Sequence, residues 1–200
     1  MRKRLLEYDE IIQKHRIFIY DKRRSILTSK NLRSEIISFG EDVMFKFAQK
    51  LEKVKRKNSK IAFEKINKEI GYFLRISSPF LDFNSLKVLN FDQIKAILSN
   101  LFWIKFDLKE QELEILNPGL MRILEKKVYI SQLDQFWKMH LQKSEIIKET
   151  IGWRSYGQFD PLLEYKNEAF NLFVATISEI KYNSVYEILQ INIQFEKKFY

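Results

Sequence analysis

The chain has 200 residues, with 35 Lys+Arg, 26 Asp+Glu and no Cys. That length buries a sizeable core in one or two domains, and an apolar fraction of 46% with 17 Phe and 9 Tyr excludes a disordered chain. Five Gly and three Pro argue against a turn-rich all-β fold, and the lack of Cys excludes a disulfide scaffold, a Cys nucleophile and thiolate zinc sites.

The net charge of +9 is local. Residues 1–60 hold 17 Lys+Arg against 8 Asp+Glu, and residues 61–200 hold 18 of each. A basic surface at the N-terminal end suits anionic lipid, nucleic acid or an acidic protein face. The opening MRKRLLEYDE meets Glu7, Asp9 and Glu10 before any apolar run, unlike a signal peptide. The stretches Leu101–Ile104 and Phe170–Ile177 are too short to span a bilayer.

No Gly or Pro precedes Gly40. Residues 1–39 therefore read as one long helix of roughly 57 Å at 1.5 Å per residue. Leu5, Leu6, Ile12, Ile19, Ile26 and Leu27 lie near helical spacing, and one apolar stripe on so long a helix needs neighbours to cover it. Residues 40–117 read as a separate helical segment. Val43, Phe45, Phe47 and Leu51 open it, and the basic run Lys53–Lys60 follows as a solvated helix end or a phosphate contact. Ile61, Phe63, Ile66, Ile70, Phe73 and Leu74 form a second periodic stretch, ended by Ser77-Ser78-Pro79. Phe91, Ile94, Ile97, Leu98, Leu101 and Phe102 form a third, and Glu110, Glu112 and Glu114 read as a solvated face.

Pro118-Gly119 is a break. Leu120, Ile123, Leu124, Ile130, Leu133, Phe136, Trp137, Leu141 and Ile147 then follow a 3/4 spacing that stops at Gly152. Asp160-Pro161 reads as an N-cap with Pro at the first helical position. Leu162, Tyr165, Ala169, Phe173, Ile177, Ile180 and Leu189 continue the next helix. Two helices across a short loop make an antiparallel hairpin. Its loop carries Trp153, Arg154 and Tyr156, where packing alone would place Asn, Gly or Ser. Those side chains either serve a function or fold back on the hairpin.

Familiar chemistry is missing. The isolated glycines form no phosphate-binding loop. His15 and His140 stand 125 residues apart without a zinc-binding spacing, so a two-His metal site would need a coincidence of the fold. His140, beside Trp137 and Leu141, reads best as a packed core imidazole. No carboxylate pair sits in the apolar setting that acid–base catalysis uses.

Both ends of the chain resemble SecA, the ATP-driven motor family of preprotein translocation. Residues 2–27, RKRLLEYDEIIQKHRIFIYDKRRSIL, are similar to the start of that family's long scaffold helix. Residues 118–166 are similar to its second scaffold part: PGLMR, then LDQFWKMHL, then IGWRSYGQFDPLLEYK. Trp137, His140, Arg154, Tyr156, Gln158, Asp160, Pro161, Glu164, Tyr165 and Lys166 all keep the family spacing. PGLMR and Gly157 look most like cyanobacterial and plastid members. The middle lies where the family has its helical wing. Ser155, Phe159 and Met139 depart from the family's usual Gly, basic and acidic residues.

The resemblance implies an elongated all-α fold: a scaffold helix over 1–39, a wing over 40–117, and scaffold with a two-helix finger over 118–200. It implies that the finger tip, Trp153, Arg154, Tyr156 and Gln158, contacts a preprotein at a SecY-type channel. Trp137, His140, Asp160, Pro161, Glu164, Tyr165 and Lys166 would build the finger itself. The family's ATPase domains, preprotein cross-linking domain and zinc-binding tail have no counterpart in these 200 residues. The motor would be a partner in trans or a missing part of a longer protein. The chain itself is then expected to do no bond chemistry and to need no cofactor or metal. An anionic membrane surface is a further partner its basic end allows, and nucleic acid is a disfavoured one. The compartment implied is the plastid stroma and thylakoid periphery, or the bacterial cytoplasm and inner-membrane periphery. The alternatives are a standalone basic helical module for nucleic acid or lipid, and a partnerless remnant of a longer gene.

Overall fold

The computed structural model describes residues 2–76, 81–154 and 160–192, with side chains over 7–76, 81–151 and 160–192. The elements among them are α1 (Arg2–Thr28), α2 (Arg33–Lys57), α3 (Lys60–Leu74), α4 (Phe83–Val88), α5 (Phe91–Leu116), α6 (Leu120–Arg154) and α7 (Pro161–Gln190). The fold is all-α, as the periodicities predict.

Two compact units divide the chain. Unit 1 is Met1–Leu32 with Lys126–Asn183, and unit 2 is Arg33–Glu125 with Ser184–Tyr200. The divisions expected from the first Gly and from Pro118-Gly119 stand several residues away from these.

The single helix expected over 1–39 is two helices. The break falls at Ser29 to Leu32, where neither Gly nor Pro stands. Thr28 Oγ1 donates to Arg24 O at 3.0 Å, and Ser29 Oγ donates to Asn31 O at 2.9 Å. Short polar side chains that bond the local backbone offer it an alternative to the helix ladder. Gly40, read as a breaker, lies inside α2 instead. A Cβ built there would sit 1.9 Å from Phe102 Cζ, so glycine lets a core ring lie against the helix backbone.

Unit 1 is a bundle of α1, the α6 segment from Lys126, and α7 up to Asn183. Its register follows from side-chain pairs. Lys148 meets Asp9, His15 meets His140, and Arg23 grips Asp134 with two hydrogen bonds of 3.0 and 3.3 Å. Numbers rise along α1 as they fall along α6, so these two helices run antiparallel. Tyr8 packs edge-on against Tyr165 and His15 stacks on Phe173, so α1 and α7 run parallel. Ile19, Ile26, Leu133, Ile151, Tyr165, Ala169 and Ile180 form the buried side. Leu27 of the predicted stripe is 50% exposed, so the stripe narrows at the end of α1.

Unit 2 packs α2 against α3 and α5. Buried Ile36, Phe39, Val43, Met44, Phe47, Ala48 and Leu51 recur at three and four residues along α2. Phe63, Ile70 and Phe73 answer from α3, and Ile94, Leu98, Phe102, Phe106 and Leu113 from α5. Ile61, placed in the predicted α3 stripe, is 84% exposed. Asn90 and Gln93 make a reciprocal capping box at the start of α5. Its end is the expected Pro-Gly break, with Gly119 left-handed at φ 82°.

The acidic face predicted at 110–114 is partly a core device. Arg33 reaches Glu110 at 2.9 Å and Asp107 at 2.8 Å, and Arg122 bridges Glu110 and Glu125. Glu125 is fully buried, and burial pushes its carboxyl above the ordinary range despite Arg122 beside it. Glu112 holds the buried Lys109 at 2.8 Å, and Glu114 accepts from Gly119 N at 2.7 Å. Of the three, Glu110 is the clear departure from a solvated face, because α2 and α6 both present arginines to it.

Candidate functional site: the paired helices of unit 1

The hairpin begins at its second arm. Asp160 Oδ1 accepts from Leu162 N at 3.0 Å, and its carbonyl accepts from Glu164 N. It thus satisfies an N–H left over in the first turn, while Pro161 has none to satisfy. Tyr165, one turn further, is 1% exposed among Ile151, Ala169, Ile147 and Tyr8. Its hydroxyl is pushed up to about 12, by burial first and then by Glu145 and Asp9. Lys166 points to solvent. The first arm runs to Arg154, two residues beyond the predicted stop at Gly152, since a helix tolerates glycine in its last turn at a cost of about 1 kcal/mol. Trp153 and Arg154 have backbone positions in that last turn. Their side chains, together with Tyr156 and Gln158, lie outside the described residues.

The middle of the unit holds a polar knot. His140 on α6 is fully buried, and His15 on α1 is 9% exposed. The fold makes the coincidence that their spacing argued against: His15 Nδ1 and His140 Nε2 are 3.2 Å apart. The protons can be assigned from the neighbours. Thr176 Oγ1 donates its only proton to Leu172 O at 2.8 Å, so it can only accept from His140 Nδ1, 3.3 Å away. His140 therefore carries its hydrogen on Nδ1 and accepts at Nε2 from His15 Nδ1–H. Ser144 Oγ, 3.4 Å from Nε2, adds a weaker contact. Trp137 stacks on His140 at 5.3 Å, and Phe173 stacks on His15 at 4.1 Å with the planes 4° apart.

One hydrogen-bonded chain thus links α1, α6 and α7, and it needs His140 neutral so that Nε2 can accept. Burial, then His15 and Lys143, holds His140 down to about 4, and burial lowers His15 too. Beside the knot lies a cavity of about 510 Å³ whose lining includes Asp9, Arg16, Ser144, Glu145 and Lys148. Two imidazoles fall short of the three or four ligands of a zinc site. Among the described residues no group of three or more His, Asp or Glu is placed to hold a metal ion. The knot orients helices.

The family model described as SecA Wing and Scaffold domain matches residues 1–192. The chain belongs to the SecA family. Among its relatives, the protein translocase subunit SecA of Gracilaria tenuistipitata var. liui is 41% identical over 186 residues, covering 93% of this chain. That of Porphyra purpurea is 40% identical over 189 residues, covering 94%, and that of Synechococcus elongatus (strain ATCC 33912 / PCC 7942 / FACHB-805) is 34% identical over 194, covering 97%. The chain spans about a fifth of these relatives' length: 21%, 21% and 20%. The part of the family that it matches is the wing and scaffold domain. No helix among the described residues is long and apolar enough to cross a membrane.

Of the residues singled out in the sequence, Trp137, His140 and Tyr165 are buried and Asp160 caps α7. His15 escaped the sequence reading as a structural residue. Its only signal is that it lies on the buried side of α1, four residues before Ile19 and eleven before Ile26.

Proposed function

We propose that the chain serves protein translocation as a mechanical part: α6 and α7 form a finger that carries motor-driven movement to a preprotein at a SecY-type channel. ATP hydrolysis belongs to the motor domains, and this chain has no nucleotide site of its own. Residues 40–117 act as the wing, and α1 backs the finger. The observation that carries this reading is the family match over residues 1–192. The antiparallel course of α1 and α6, and the imidazole link between them, support it. A lever must resist bending, and packed helices sharing buried hydrogen bonds do so.

Trp153, Arg154, Tyr156 and Gln158 are the contact residues in this reading. A large amphipathic ring such as Tyr156 grips many sequences, and an arginine fork bonds backbone carbonyls. The test is Tyr156→Ala in the assembled translocase. Preprotein transport should slow while ATP hydrolysis stays within about twofold, since the side chain touches cargo and no nucleotide. Transport at the unsubstituted rate would overturn the assignment.

A further inference from the structure

The cavity of about 510 Å³ beside the imidazole knot is lined by α1 and α6, with Tyr165 of α7 among its walls. Tyr165 is 1% exposed, and its hydroxyl has no hydrogen-bond partner among the described residues. The hydroxyl is not sealed in. Among the described residues, the fully covered side-chain atoms without a partner are Glu52 Oε2, Asn67 Oδ1 and Ser184 Oγ. The Tyr165 hydroxyl therefore opens on the cavity that the residue lines. The charges around it are of both signs. Asp9 and Lys148 are spent on each other, 3.0 Å apart. Glu145 has no cationic partner among the described residues, and Arg16 is held by Gln13 Oε1 alone, at 3.2 Å. His15 meets His140, so Arg16 stands level with His140 to within a residue, and Glu145 lies five residues further along α6. At 1.5 Å per residue, the two unpaired charges are about 7–8 Å apart along the helices. By the same register the apolar Ile12 and Leu141 fall between them. Tyr165 belongs to the acidic end, since Glu145 and Asp9 are the charges that raise its hydroxyl.

We propose that this cavity binds a linear zwitterion of the ω-amino acid class, with its carboxylate on Arg16 and its ammonium between Glu145 and the Tyr165 hydroxyl. Each requirement selects it. Two cations and two anions line the cavity, so a ligand of one sign meets like charge as well as unlike. A ligand that carries both signs answers both unpaired groups. The guanidinium fork of Arg16 takes a carboxylate, and the ammonium donates to the Glu145 carboxylate and to the Tyr165 hydroxyl oxygen. The methylenes between the charges pack on Ile12 and Leu141.

The test is isothermal titration calorimetry of the full chain with 6-aminohexanoate, hexanoate and hexylamine. The last two keep the aliphatic chain and one charge each. 6-Aminohexanoate should bind about tenfold or more tighter than either, the usual worth of a hydrogen bond to a charged group. In Glu145→Gln it should bind no better than hexanoate, and in Arg16→Gln no better than hexylamine. Glu145 is exposed and Arg16 half-buried, so the bundle keeps its core in both. Tyr165→Phe keeps the buried ring and loses the hydroxyl. It should weaken 6-aminohexanoate about threefold to tenfold and leave hexanoate unchanged. No binding of 6-aminohexanoate overturns the proposal. So does equal binding of hexanoate or hexylamine, or an advantage over its one-charge counterpart that survives in Glu145→Gln or Arg16→Gln.

Discussion

Acidification should loosen unit 1 through the His15–His140 link. In the fold His140 titrates near 4, against 6.5 for the free side chain. Between those values the unfolded chain binds the proton and the folded chain resists it. Stability therefore rises with pH across this window. The contribution is complete above about pH 6.5 and is lost as the pH falls toward about 4. A gap of 6.5 minus about 4 corresponds to roughly 3 kcal/mol at most, at about 1.4 kcal/mol per unit. The structural reason is that both ring nitrogens of His140 are engaged. Nδ1–H faces Thr176, and a proton on Nε2 would face the His15 donor. Urea unfolding followed by circular dichroism at intervals from pH 7.5 to 4.5 measures the loss. Carboxylates titrate in the same range, so the informative quantity is the slope relative to His15→Gln/His140→Gln. That chain should lack most of the extra pH dependence, about 2–3 kcal/mol of it between pH 6.5 and 4.5. Parallel curves for the two chains would refute the assignment of a neutral, bonded His140.

Other perturbations follow from single contacts. Gly40→Ala places a methyl against the fully buried Phe102 ring and should destabilise the chain by about 1–3 kcal/mol in denaturant unfolding. Asp160→Ala removes the cap on Leu162 N and should cost about 1 kcal/mol, with faster amide exchange confined to the first turn of α7. Arg75, the C-cap of α3, sits in the left-handed region at φ 52°. Arg75→Gly should leave stability unchanged or raise it by up to about 1 kcal/mol, because glycine bears no strain there and the Arg75–Asn192 bond that is lost is exposed.

Helices were legible wherever the chain repeats apolar residues at three and four, and their ends were legible where Pro118-Gly119 and Asp160-Pro161 act on the backbone directly. The end of α1 was not. Four ordinary residues break it, by side-chain hydrogen bonds that rank below Gly and Pro as signals. The glycine that looked like a break, Gly40, proved to be a packing residue, and only the arrival of Phe102 on α5 makes it so. Similarly, Phe45 and Ile61 carry the same spacing as their buried neighbours, and exposure separates them.

Membership in the SecA family was written in local motifs at both ends, since capping, spacing and aromatic pattern are properties of neighbours along the chain. The encounter of His15 with His140, and of Glu110 with Arg33 and Arg122, was not. Each joins side chains on different helices, and whether they meet depends on how far one helix slides and turns against the next. That register is set by the packing of whole faces, a sum over many contacts that no short stretch of residues contains.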